Sequence, residues 1–247
     1  MSSLRQFPGT GRSRFGMLAA AGIAVVAVLA VILFVMSPRD GEAPGVPTAS
    51  QPASQFRPPR PQPSASAAAS PAVIPTTAPA GISWALVGQS AVPVSGTDGP
   101  AQVGGCRASG YAHTPVGALI AAAQISTRSG YSAGRQCWEP ALTGQFVASA
   151  DRDTLLGLLN NADAAGHPAA APGELAQISG FRFVSYTGDT AVIGLIRRTP
   201  QGSHAQTTLT VQWADGDWKL VAPSGGQWPA ITAALTSLAG TTPWGAG

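Results

Sequence analysis

The sequence predicts an α+β fold carried outside a single membrane-spanning helix, and three observations lead there. Residues 17–36 run without a charged side chain. An Ala/Leu/Ile-rich stretch opens at Thr114-Pro115 with the character of a buried helix. From Ala176 onward the apolar residues recur at every second position, the period of half-buried strands.

The uncharged run is about 30 Å long at 1.5 Å per residue, the thickness of a hydrocarbon core. Arg5, Arg12 and Arg14 precede it, whereas Arg39 is followed at once by Asp40. The positive-inside bias therefore makes residues 1–16 a basic cytoplasmic tail and places everything after residue 36 outside the cytoplasm. A cleavable signal peptide would have an apolar region of about 7–15 residues ending in a small-x-small site. Here the run is longer and ends in Phe34-Val35-Met36-Ser37-Pro38, with no cysteine nearby for a lipid attachment. The expectation is an uncleaved anchor in the cell membrane.

Residues 37–80 are dominated by Pro, Ala and Ser and have almost no aliphatic content. Such a segment cannot bury enough apolar surface to offset the entropy of ordering, so it is expected to be a disordered linker. The formal charge of +3 divides unevenly along the chain. Residues 1–80 hold six arginines against Asp40 and Glu42, a balance of +4; residues 81–247 hold eight basic and nine acidic residues, a balance of −1. The extracytoplasmic domain, 81–247, lacks the basic footprint of a nucleic-acid binder.

Within that domain, Trp84, Val92 and Val94 suggest a first extended segment closed by the Gly/Asp/Pro turn that ends at Pro100. Thr114 is an N-cap and Pro115 a first helical residue, with the helix ending before Ser129-Gly130. A second helix is expected over Glu139 to Val147, and a third from near Asp151, whose acidic residues suit the positive end of the helix dipole. Phe181 and Phe183 then alternate with Arg182. Tyr186 to Asp189 turns the chain into a second strand, and Leu209, Val211 and Trp213 alternate with polar residues up to an Asp215-Gly216 hairpin. Helices followed by an antiparallel meander make an α+β domain.

The text of residues 178–195 and 211–221 resembles the curved sheet of nuclear-transport-factor-2-like (NTF2-like) domains. The run Gly110-Tyr111-Ala112-His113-Thr114-Pro115, with the helix it opens, resembles a group of actinobacterial membrane-anchored proteins built on that plan. The resemblance spans most of residues 82–223. It implies a curved antiparallel sheet with N-terminal helices packed in its concave face, on an anchor like those of conjugation and secretion assembly factors. A non-enzymatic scaffold or interaction protein is the leading expectation. An extracytoplasmic ligand-binding or sensory domain with an apolar pocket comes second, and an isomerase or hydrolase third, because one fold hosts many activities.

Gly130 to Gly134 spells the G-x-S-x-G nucleophile elbow around Ser132. That motif works on a strained strand-to-helix turn with an acid and a histidine downstream. Here a helix precedes it; His167 falls in a Gly/Ala/Pro loop, and His204 is expected in a hairpin tip. Ser132 is expected to be catalytically silent. His113 is a candidate pocket residue with Asp189 or Asp217 as partner. The competing reading is a ring packed on the helix and bonded to a backbone carbonyl. Three scattered histidines and two cysteines offer no metal-ligand spacing, so no catalytic, metal or cofactor residues are expected. Cys106 and Cys137 are expected to form a disulfide, since the compartment is oxidising and no cysteine is left over. Partners are expected to be envelope proteins or a second copy of the chain, met through the outer side of the sheet and Trp213, Trp218, Trp228 and Trp244. For Trp213 and Trp218 a place in the core competes with that role.

A reporter active only outside the cytoplasm is expected to work when fused after residue 80 and to fail when fused before residue 15. Release of a mature domain whose N-terminus maps between residues 36 and 45 contradicts the anchor.

Overall fold

Two hairpins, rather than one extended segment, precede the helices in the structure, a computed structural model that describes residues 72–246. The expected tail, membrane helix and linker up to residue 71 lie outside the described residues. Among the described residues no helix is long and apolar enough to cross a membrane. Strand β1 (Ile82–Val87) pairs antiparallel with β2 (Ser90–Ser95), and β3 (Gln102–Gly104) with β4 (Arg107–Ser109). Gly88, at φ +57°, lets the chain reverse where the apolar pattern shows no break.

Three helices follow: α1 (Pro115–Arg128), α2 (Arg135–Gln145) and α3 (Ala150–Ala164). The Thr114 hydroxyl accepts the Gly117 N–H at 2.9 Å and donates to Asp98 Oδ1 at 2.6 Å, so the cap is itself held by a carboxylate. Eleven of the fourteen residues of α1 are buried, as a helix uncharged before Arg128 requires. Helix α2 begins four residues before the expected Glu139 and contains Pro140 in its interior. Burial of Trp138 and Cys137 in the turn ahead of the proline offsets the hydrogen bond that the proline ring removes. Ser149 caps α3 by accepting the Arg152 N–H, and Asp151 and Asp153 lie in its first turn.

The main sheet runs in the order β10-β5-β6-β7-β8, with β5 (Gln177–Tyr186), β6 (Thr190–Arg198), β7 (His204–Ala214), β8 (Asp217–Leu220) and β10 (Thr242–Pro243); β9 (Thr232–Leu235) pairs with the first residues of β7. Every pairing in it is antiparallel. Its inner face is Phe181, Ala191, Ile193, Leu195, Leu209, Val211, Trp218 and Leu220, all buried, and α1 packs against β6, β7 and β8. On the other face Thr190, Val192, Thr208, Thr210 and Gln212 are only half-buried, whereas the paired Ile196 and Gln206 farther along the same strands are buried. Strands β9 and β10 have four and two residues, too short for any periodicity to reveal.

The four tryptophans belong to the core or pack against it. Trp218 and Trp244 are buried, while Trp213 and Trp228 are half-buried against the core. Trp244 meets the rings of Trp84 and Phe181 edge-on at 5.1 and 5.5 Å, because the last residues fold back along β5.

Cys106 and Cys137 are disulfide-bonded, with Cα atoms 4.8 Å apart. Cys106 sits in the β3–β4 turn and Cys137 within α2 rather than in a loop, so the bond fastens the second hairpin to a helix. The Gln145 side chain fastens the same pair, its amide donating to the Ala108 carbonyl. Closing 31 residues of chain stabilises the domain by about 3–4 kcal/mol in the loop-entropy account. Cys137→Ser is therefore expected to lower the unfolding free energy in urea by about that amount. Recovery of two free thiols from non-reduced, denatured protein contradicts the bond.

Candidate functional site

Ser132 stands in a single 3-10 turn, Tyr131–Ala133, between α1 and α2, not on a strand-to-helix turn. Its Oγ accepts the Ala170 N–H at 3.1 Å. It borders a small cavity of about 180 Å³ with Val87, Thr127 and Leu175, and neither histidine nor carboxylate lines that cavity. His167 contributes only its backbone carbonyl, which accepts the Tyr131 hydroxyl at 2.7 Å. His204 is the first residue of β7, paired with Arg198 and Leu235, and not a hairpin tip. The strand begins early because β9 supplies a partner on its other side.

His113 stacks on Trp213 with ring centroids 4.1 Å apart and planes 9° from parallel, and it meets Trp218 edge-on at 5.6 Å. Its Nε2 donates to Asp189 Oδ1 at 2.9 Å and lies 3.2 Å from the Gly188 carbonyl. Asp189 is the neighbouring carboxylate and a backbone carbonyl lies within hydrogen-bond distance, and the ring rests on Trp213 of the sheet rather than on the helix. Asp217 does other work. Its carboxylate accepts the N–H groups of Gly110, Tyr111 and Trp218 at 2.8, 3.0 and 2.9 Å, and the Trp218 indole donates to the Ala112 carbonyl at 2.9 Å. Asp189 is 77% exposed and His113 42%, so their attraction is screened by water and stabilises little. Burial, and to a lesser degree Asp189, raises the pKa of the neighbouring Tyr186 phenol. The arrangement clasps three segments together: the entry to α1, the β5–β6 turn and the β7–β8 hairpin. His113 lines neither described cavity.

The larger cavity is a groove of about 920 Å³ at the opposite end of the strands. The β1–β2 hairpin, the start of β5, the β6–β7 loop and the C-terminal segment enclose it, with Ile82, Trp84, Leu175, Ile178 and Trp244 as its apolar lining. Arg198 is its charged residue. Sequence reasoning missed this site because four distant segments build it. The available signal was a pair of tryptophans near the two ends of the domain, Trp84 and Trp244.

Two further arginines lie at the C-terminal end of α1, where cations suit the dipole. Arg197 Nη2 donates to Ser126 Oγ at 2.9 Å, and burial of the guanidinium pulls its pKa down to about 10. Arg128 donates to Gln124 Oε1 at 3.1 Å and to the Cys106 carbonyl at 3.4 Å. Both brace the helix. Among the described residues no group of three or more His, Cys, Asp or Glu side chains could hold a metal ion.

Fold and groove together define a small, disulfide-stapled α+β domain with an aromatic-lined recess at one end of its sheet. The chain belongs to the family described as Domain of unknown function (DUF8175), which matches residues 43–243. No curated protein and no solved structure matches it.

A fluorophosphonate probe is expected to leave the protein unlabelled. Labelling that disappears in Ser132→Ala contradicts the structural role of Ser132 and makes the turn between α1 and α2 a catalytic one.

Proposed function

We propose that the protein is a non-enzymatic scaffold or interaction protein of the cell envelope, anchored by residues 17–36 and holding an NTF2-like domain outside the membrane. The observation that carries this reading is the filled inner face of the sheet. Leu119, Ala122 and Ile125 of α1 have no exposed surface, and neither have Ile193, Leu195 and Val211 of the sheet. Where related architectures could keep a reaction chamber, this chain places a packed helix, which leaves its outside to meet other molecules. A neutral domain on a long tether gains from anchoring mainly as a binder, because tethering raises its effective concentration at any envelope partner. Exposed Leu86, Val103 and Val184 offer apolar contact on that outside. A conjugation or secretion assembly is the setting most in keeping with such an anchor.

The groove favours a second reading, an extracytoplasmic ligand-binding or sensory domain. Its volume and apolar lining are those of a small-molecule site, although it lies at one end of the strands rather than on the face that α1 covers.

Crosslinked and membrane-extracted protein is expected to migrate as a complex, either a homo-oligomer or a complex with envelope proteins. Migration as a lone monomer, together with unchanged DNA transfer and secretion in a deletion strain, sinks the scaffold reading.

A further inference from the structure

The groove has walls of one character and free polar groups of another, and the contrast specifies a ligand. Ile82, Trp84, Leu175, Ile178 and Trp244 line it with aliphatic and aromatic surface. Arg198 is exposed, and among the described residues its guanidinium makes no ion pair and no side-chain hydrogen bond. Two wall residues hold further groups without a partner: Trp244 Nε1, a donor only, and the Ser179 hydroxyl, both closed off from water. Trp244 as a whole is 5% exposed.

The other side-chain acceptors of the wall are already engaged. Gln177 Oε1 takes the Ala91 N–H at 3.0 Å, and Thr199 Oγ1 takes the Ser203 N–H at 3.1 Å. An extended peptide brings N–H donors as well as carbonyls, and among the described residues the Ser179 hydroxyl, closed off from water, is the one unengaged side-chain acceptor of this wall. An unpaired guanidinium beside apolar walls is suited instead to a molecule with an apolar body and an oxyanion at one end. Acidic side chains are absent from the lining, so nothing in the groove repels such a head.

We propose that the groove binds an anionic amphiphile, an acyl chain ending in a carboxylate or phosphate, with the chain along the Trp84 and Trp244 walls and the head on Arg198. This rests on the ligand-binding reading and adds the ligand's chemistry to it. The two sources of that chemistry in an envelope are free fatty acids and anionic phospholipids.

The test uses the full chain in nanodiscs of zwitterionic phosphatidylcholine, exposed to a diazirine-bearing palmitate or to its methyl ester, with labelled residues mapped by peptide mass spectrometry. The palmitate is expected to label groove residues such as Leu175 and Ile178. Arg198→Ala is expected to cut that labelling about tenfold, Arg198→Lys to restore part of it, and Ala246→Trp, at an exposed groove position, to block it. Loss of labelling on competition with unlabelled palmitate or with phosphatidylglycerol supports the proposal and tells the two sources apart; indifference to both contradicts it. Equal labelling by the ester, undiminished in Arg198→Ala, overturns the anionic head while leaving a ligand groove in place. Absence of groove labelling by either probe overturns the groove as a ligand site altogether. Recovery of the Cys106–Cys137 bond in each variant separates loss of binding from loss of fold.

Discussion

Helix α1 has almost no polar side, and the remainder of the domain is arranged to bury it. Ala118 to Ala123 are fully enclosed, by the sheet on one side and by the hairpins and α2 around the rest. Burying a helix so completely also encloses its ends, where backbone groups lack partners within the helix. At the first turn Thr114 supplies the acceptor and Asp98 fixes Thr114. At the last turn Arg128 and Arg197 are drawn inside with Gln124, whose amide reaches the Pro93 carbonyl at 2.8 Å. Among the described residues neither arginine has a carboxylate partner; the Cys106 carbonyl and the Gln124 amide take that place for Arg128, and the Ser126 and Thr127 hydroxyls for Arg197. Replacing either by an apolar residue would leave those acceptors unpaired, which is why such polar groups are costly to remove once buried.

The same constraint explains the most distinctive run of the chain, Gly110 to Pro115. Gly110 takes φ +77°, and its N–H, with that of Tyr111, is received by Asp217 on the β7–β8 hairpin. The Ala112 carbonyl receives the Trp218 indole. A Cβ on Gly117 would fall 2.0 Å from the Ala112 carbonyl oxygen, so glycine alone permits this approach. His113 closes the junction from outside. Residues that read as candidate chemistry in the one-dimensional chain thus act as the joint between a helix and a hairpin far from it in sequence.

Strong local periodicity made α1, α3 and strands β5 to β8 legible, along with the α+β class. Weak or interrupted periodicity hid the rest. The β1–β2 hairpin has a burial pattern set by what packs on it and not by strict alternation. Helix α2 starts ahead of its proline because Trp138 and Cys137 are needed inside, a tertiary demand with no local signature. The disulfide was readable from cysteine count and compartment, whereas its anchorage in α2 was not. The groove was illegible for the deepest reason: Ile82, Leu175, Arg198 and Trp244 become neighbours only after the sheet has formed.

Strand β6 is the ruler between the two polar features of the surface. It begins at Thr190, beside Asp189 of the His113 clasp, and ends at Arg198 on the groove. Its nine residues at about 3.3 Å each set the two roughly 30 Å apart along one doubly paired strand. The ends of the described chain converge on the groove side, where the Thr242 hydroxyl meets the Thr76 carbonyl at 3.1 Å. The domain is accordingly polar in the geometric sense: both ends of the described residues lie at one pole with the groove, and the opposite pole holds the β5–β6 and β7–β8 turns together with the entry to α1.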